Sequence, residues 1–278
     1  MYMNDNPRKE MTIEPGGGNR YFWKEIWEHR EMLYILGWRD FKVRYKQTLI
    51  GAAWSILRPL LTTIIFTYIF HSVAGMEDKQ GVPYALVVLV GTLAWQLFAT
   101  GFQDSAASLL ANAALISKVY FPRLIIPASA LGTALVDFAI TFVLVLVYMI
   151  YCGIFPGWQI FTLPLFMALA IICAFGLGLL FAALTVKYRD LRFVIPFVVQ
   201  FGLFVSPVGF RSSMLNGKYE WLFALNPLTG IIDGFRWALL KSPMEPANLL
   251  FSVAVTMVVF STGLYYFRKE EMNFIDSL

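Results

Sequence analysis

The chain reads as an all-α integral membrane protein. It has six transmembrane helices, an amphipathic interface helix near its N-terminus, and a re-entrant outer helical hairpin between spans five and six. Two observations predict this. Of its 278 residues 58% are hydrophobic and only 14% charged, against about 25% charged in soluble domains, so the polar surface that would keep it in water is missing. Near Thr48 the aromatic, basic stretch YFWKEIWEHREMLYILGWRDFKVRYKQT also gives way to the apolar run AAWSILRPLLTTIIFTYIFHSV. The first suits a membrane surface and the second its interior.

Residues 1–20 are polar, contain Pro15-Gly16-Gly17-Gly18 and lack an apolar h-region, so a disordered tail without a cleavable signal peptide is expected. Residues 21–48 are expected to form the interface helix. Trp23, Trp27, Tyr34, Trp38, Phe41 and Tyr45 recur near helical spacing, while Lys24, Glu28, Glu31, Arg39, Lys42 and Lys46 take other faces. Trp and Tyr favour the headgroup level, and each Lys or Arg beside anionic lipid gains about 1 kcal/mol. Two readings stay open here. The helix is either an anchor that sets topology, or a landing strip where Arg39, Lys42, Arg44 and Lys46 meet a phosphate-bearing lipid. Arg58, before Pro59 inside the first span, must snorkel, pair, or face a wet or substrate-filled path.

Residues 49–270 are expected to form the six-span domain. A spanning helix needs roughly 20 apolar residues to cross about 30 Å of hydrocarbon. Residues 52–73, 83–102, 124–151, 160–186, 194–210 and 247–267 reach or approach that length. The fifth is the shortest and is bracketed by Pro196 and Pro207. No internal repeat is evident, which speaks against an inverted-repeat carrier.

Basic residues set the orientation. Arg39, Lys42, Arg44, Lys46 and Arg58 crowd the first span, Lys118 and Arg123 follow the second, Lys187, Arg189 and Arg192 follow the fourth, and Arg268 and Lys269 close the sixth. The alternate connections hold only Lys79, or, over residues 152–159, no Lys or Arg. Both termini, including the tail 271–278, are therefore expected on the cytoplasmic side. Arg211, Lys218, Arg236 and Lys241 break the pattern by falling between spans five and six. That segment, KYEWLFALNPLTGIIDGFRWALLKSP, is apolar but interrupted at Asn226-Pro227, and neither half is long enough to cross. A hairpin that dips in and returns fits it, since irregular backbone survives at membrane depth only when covered by protein or lining a wet cavity. A packed outer loop is the plainer reading.

Few residues suggest chemistry. Cys152 and Cys173 lie in apolar context without ligand or redox spacing, and His29 and His71 have no metal-ligand company. Asp137 is the acidic residue well inside a span; it is either a proton relay or, with no His or Lys partner in other spans, a protonated or hydrogen-bonded packing residue. There is no G-x-x-x-x-G-K-[ST] phosphate loop, so this chain binds no ATP through that motif.

Five stretches together resemble the permease subunit of type-2 ABC exporters, in the branch that exports lipid-linked polysaccharides such as O-antigen, capsule and teichoic acid. They are RDFKVRYKQTLIGAAWSILRPLL, NAALISKVYFPRLIIP, LVD in the third span, KYRDLRFVIPF and LNPLTGIIDGFRWALL. The resemblance runs from about Trp23 onward. It implies a homodimer in a bacterial inner membrane whose six-span halves enclose a channel, with two copies of a separate ATPase carrying ATP and Mg and docked beneath. No cofactor is expected on this chain and no nucleic acid among its partners.

Residue by residue, the resemblance places a coupling helix for the ATPase at Leu115, Ile116, Ser117, Lys118, Val119, Tyr120, Phe121, Pro122 and Arg123. The residues agree, since 112–120 can form a short helix ending at Phe121-Pro122. In this family the first and fifth spans form a lateral gate, so Arg39, Lys42, Arg44, Lys46 and Arg58 would steer a lipid pyrophosphate. Flat aromatic faces suit a sliding sugar polymer, and Trp54, Phe66, Tyr68, Phe70, Trp95, Phe98, Phe201 and Phe204 are the channel candidates, beside Gln96; packing or an interfacial belt is the alternative for each. Asn226, Pro227 and Arg236 are assigned to an outer gate.

The expected function is export of undecaprenyl-pyrophosphate-linked polysaccharide, O-antigen-like, by the permease subunit of an ATP-driven transporter. The alternatives are a type-2 ABC permease for teichoic acid, or for a small lipid or drug. A membrane glycosyl- or acyltransferase would need clustered catalytic acids or histidines, whereas Asp104, Asp137 and Asp233 are scattered along the chain. A proton-coupled carrier would need the repeats and a buried relay.

Overall fold

The computed structural model of the protein describes residues 24, 26–46, 51–73, 75, 81–211, 225–271 and 274. The expected tail 1–20, the first residues of the interface helix, residues 47–50, Lys79, the first arm of the hairpin (212–224) and most of 271–278 lie outside the described residues. Every regular element among those described is helical.

Helix α1 (Arg30–Lys46) lies along α5 (Ile125–Tyr151) and touches α2 (Gly51–Thr67). Its apolar residues are not confined to one side: Tyr34, Ile35, Trp38 and Val43 are exposed while Leu36 faces inward. The helix expected from periodicity is therefore present, but its division into apolar and basic faces is less clean than the sequence suggested.

Helix α2 (Gly51–Thr67) continues through a wider π-helical turn, Tyr68–Val73. Helix α3 (Tyr84–Ala111) is the hub, packed against α2, α5, α6 (Leu163–Lys187), α7 (Leu191–Val205) and α8 (Pro227–Leu240). It runs well past Phe102, where the apolar pattern ends, because Asp104 finds partners inside the protein. A four-residue helix α4 (Ala113–Ile116) leads to α5 (Ile125–Tyr151). A 3-10 turn, Trp158–Thr162, precedes α6 (Leu163–Lys187), and α7 (Leu191–Val205), α8 (Pro227–Leu240) and α9 (Pro246–Glu270) follow.

Small residues let these helices approach closely, as membrane helix packing requires. A Cβ on Gly176 of α6 would lie 2.6 Å from the Cα of Phe260 on α9, and one on Gly263 of α9 would meet the backbone of Gly176. Ser105 of α3 donates a 3.0 Å hydrogen bond to the Pro127 carbonyl of α5.

Five described helical stretches are long and apolar enough to cross a membrane: 53–73, 84–111, 125–151, 158–187 and 246–270. Helix α7, the expected fifth span, has 15 residues, about 22 Å at 1.5 Å each, which is short of the roughly 30 Å of hydrocarbon. It contains Pro196 and ends before Pro207. Helix α8, the second arm of the expected hairpin, is shorter still at 14 residues. Asn226 caps it by accepting a 3.0 Å bond from the Leu228 N–H, with Pro227 at its first position, and Lys241 ends it in the left-handed region at φ 56°. It is buried along almost its whole length among α3, α6 and α9.

Candidate functional site

The polar centre of the molecule forms around Arg44. This residue leaves the last turn of α1 and reaches between α3 and α5. Its Nη1 lies 2.7 Å from Asp104 Oδ2 and its Nη2 2.9 Å from Asp137 Oδ2. Asp137 Oδ1 also accepts from Tyr45 Oη at 2.5 Å and from Ser55 Oγ at 2.6 Å. Thr133 donates to Asp104 Oδ2 at 2.8 Å. Four helices, α1, α2, α3 and α5, therefore meet on one guanidinium and two carboxylates.

The environment favours this ionic arrangement. The Asp137 side chain is only 3% exposed, so its charge needs a cation and several donors, and it has both. Burial pulls the Arg44 guanidinium down, but Asp104 and Asp137 more than offset it and hold its pKa above the usual value. Burial first, then the bond to Asp137, pushes the Tyr45 phenol up to about 12. Asp137 is thus a hydrogen-bonded residue, as one sequence reading had it, but with a cationic partner. That partner comes from the interface helix, which a search confined to the spans overlooks. It also changes the reading of Arg44, whose charge is matched within the chain instead of being offered to a headgroup.

The other basic residues differ from it. Arg39 donates to Asp40 at 2.7 Å and to Asn112 at 2.7 Å, so it joins α1 to the turn between α3 and α4. Lys42 sits 5.3 Å above the Trp38 ring, and Lys46 is exposed. Arg58 is exposed and has no ion-pair partner among the described residues. The reason is rotational. Ser55, Pro59, Thr63 and Phe66 recur at helical spacing and bury one side of α2, which turns Trp54, Arg58, Leu61 and Ile65, and Tyr68 on the turn beyond, outward.

The aromatic candidates divide in the same way. Phe66, Trp95 and Phe98 are buried and Phe70 half-buried, so they pack the subunit interior, as does Gln96 in part. Trp54, Tyr68, Phe201 and Phe204 are exposed. The buried Phe66 of α2 meets Phe204 of α7 with ring centroids 5.9 Å apart, and Phe197 lies tilted against Phe201 with centroids 4.1 Å apart.

The segment after α3 has a held frame and an open middle. Ser117, Lys118, Val119 and Tyr120 are exposed, Leu115 is half-buried, Ile116, Phe121 and Pro122 are buried, and Arg123 is partly buried. The helix is shorter than the expected 112–120, stopping at Ile116 and passing into turns. Burial lowers the Arg123 pKa, with Glu271 and Tyr120 opposing the shift.

At the other end of the bundle, Arg236 of α8 is fully buried and grips the chain that follows α7. It donates to the Phe210 and Val208 carbonyls at 2.8 Å each and to Val87 at 3.3 Å, with Asp233 3.4 Å away. Asn226 Nδ2 donates to Ser206 Oγ at 2.8 Å. Asn226 and Arg236 thus hold the same connection from two sides, while Pro227 only starts the helix. Among the described residues no three His, Cys, Asp or Glu side chains gather to hold a metal ion.

Comparison with known proteins agrees with a transport membrane subunit. The profile of the family described as ABC-2 type transporter matches residues 31–240. The chain is 28% identical over 251 residues to the O-antigen export system permease protein RfbA of Klebsiella pneumoniae, covering 89% of this chain and 95% of that protein. It is 25% identical to RfbA of Myxococcus xanthus, over 89% of this chain and 96% of that one. It is also 26% identical to the polysialic acid transport protein KpsM of Escherichia coli, over 86% and 93%. With helices of spanning length and a family profile over most of its length, the chain belongs to the ABC-2 type transporter family.

Proposed function

We propose that this chain is the channel-forming permease subunit of a split ATP-driven exporter, which moves undecaprenyl-pyrophosphate-linked, O-antigen-like polysaccharide from the cytoplasmic to the outer side of a bacterial inner membrane. The observation that carries this reading is the near end-to-end similarity to proteins named as O-antigen export permeases. The chemistry of the exposed faces is compatible. Trp54 and Arg58 on α2 and Tyr68 on the π-helical turn that continues it, with Phe201 and Phe204 on α7, are exposed and offer a cation and flat apolar faces. A cation suits a pyrophosphate, and ring faces tolerate a polymer that slides.

In this reading two copies of the chain associate with two copies of a separate ATPase, which carries ATP and Mg. Both termini are cytoplasmic, α1 lies at the inner interface, and α7 completes a set of six spans. The hairpin ending in α8 is re-entrant from the outer side, with Asn226 and Arg236 steadying the outer mouth. Lys118, Val119 and Tyr120 form the surface pressed by the ATPase. Arg58, Lys42 and Lys46 remain the candidates for the lipid pyrophosphate, with Arg39 partly committed to Asp40 and Asn112.

Deletion of the chain followed by location of the glycan tests this. Polyprenyl-linked polysaccharide held inside the cell, restored to the surface by the intact gene, is the expected result. Normal surface polysaccharide in the deletion strain sinks the proposal.

A further inference from the structure

Resting on that reading, we infer that Glu271 and Phe274, which follow the last span, are positioning residues for the ATPase-coupling segment. Both reach back to the C-terminal end of that segment. The Arg123 backbone N–H donates to Glu271 Oε1 at 3.2 Å. The Phe274 ring lies 5.9 Å from the Arg123 guanidinium and packs edge-on against Phe267, with centroids 5.3 Å apart. Phe274 is only 1% exposed and shares an apolar cluster with Phe121, Leu124 and Ile116.

The buried Phe274 ring ties the chain after α9 to this segment through its contacts with Phe267 and Arg123. Its place matters more than its existence. The coupling segment is held at its start by Arg39, which bonds Asn112, and at its finish by Glu271 and Phe274. Between the two holds, Ser117 to Tyr120 are exposed and free to meet another protein. A push received there moves the spans only if the ends are fixed to them. Glu271 and Phe274 provide that fixture by linking the start of α5 to the end of α9, so that a displacement passes to two spans instead of bending a loop.

The test uses the full complex of this chain with its ATPase in liposomes, loaded with polyprenyl-pyrophosphate-linked glycan extracted from the same cells. Glycan moved per ATP hydrolysed is compared for wild type, Glu271→Ala, Glu271→Gln, Phe274→Ala and Phe274→Leu. Both alanine variants are expected to keep the ATPase bound in wild-type amount while the ratio falls roughly two- to thirty-fold, the range of mutations that alter coupling. Gln keeps an acceptor and Leu keeps apolar volume, so each should restore much of the ratio. An unchanged ratio in Glu271→Ala, which removes one acceptor outside the spans, overturns the inference. So does a loss of activity that only follows a loss of assembled complex. A wild-type complex that moves no glycan points instead to failure of the proposed function itself.

Discussion

Arg44 at the end of α1 and Asp137 in the middle of α5 form an ion pair of 2.9 Å, with the carboxylate almost wholly buried. Breaking such a pair by removing one partner leaves an uncompensated charge and costs about 3–5 kcal/mol. Arg44→Ala should therefore lower the thermal unfolding temperature of the detergent-solubilised protein sharply. The triple variant Arg44→Ala, Asp104→Asn, Asp137→Asn should recover much of the loss, because no buried charge is left over. If the triple variant is less stable than Arg44→Ala, the cluster acts through geometry and not through charge balance.

The bond from Tyr45 to the same carboxylate should matter less. Interhelical hydrogen bonds measured in membrane proteins average about 0.6 kcal/mol, so Tyr45→Phe is expected to be several-fold milder than Arg44→Ala. It should also have a pH signature. The folded phenol titrates near 12 against an ordinary value of 10.0. The native state then holds this proton more tightly than the unfolded state, so stability is intact below about pH 10 and is lost as pH rises from about 10 to 12. Tyr45→Phe should remove that alkaline contribution. Identical alkaline profiles for the two proteins would show that Tyr45 is not held by Asp137 in solution.

The two residues also show where sequence is legible and where it is not. Long apolar runs announce helices because hydrocarbon demands that backbone polar groups be satisfied within the segment, and most helix ends near Pro83, Leu124 and Pro246 follow. The end of α3 does not. Gln103-Asp104 looks like an exit from the membrane, yet the helix continues to Ala111 because Asp104 meets Arg44 and Thr133. That partnership joins residues 60 apart in sequence, and no local pattern encodes it. The same holds for Arg236, whose basic character seemed to violate the charge rule. Its guanidinium is spent on backbone carbonyls of residues 26 and 28 positions away, so it reports nothing about which side of the membrane it faces. Arg58 is placed by its neighbours: the buried row Ser55, Pro59, Thr63 and Phe66 leaves it on the exposed side of α2, and only the structure shows which row is buried.

The Arg236 arrangement needs a glycine beside it. A Cβ on Gly91 of α3 would lie 2.6 Å from the Val208 carbonyl oxygen and 2.7 Å from Arg236 Nη2. Alanine in a helix is ordinarily preferred over glycine by about 1 kcal/mol, but overpacking costs about 1–3 kcal/mol and leaves the guanidinium poorly seated. Gly91→Ala is therefore expected to lower the unfolding temperature, and Arg236→Met to lower it further by leaving buried carbonyls without a donor. A rise in the Gly91→Ala variant would mean that residues 206–211 move aside freely, and that Arg236 does not fix them.

Arg58 is expected to behave differently from all of these. Its side chain is exposed, it has no ion-pair partner among the described residues, and its neighbour Pro59 faces the interior. Arg58→Ala should leave the unfolding temperature within about 0.5 kcal/mol equivalent of wild type, as for surface changes away from special features. Its effect should appear in transport. A guanidinium binds pyrophosphate oxygens through paired N–H donors and lysine does so as a point charge, so Arg58→Lys should retain part of the export rate and Arg58→Ala little. The discriminating measurement is the dependence of initial rate on lipid-linked glycan concentration. A cation that captures the headgroup raises the half-saturating concentration when removed, whereas one that only anchors α2 at the interface lowers the rate at every concentration alike. The second result would transfer pyrophosphate binding to Lys42 and Lys46 and leave Arg58 as a snorkelling anchor.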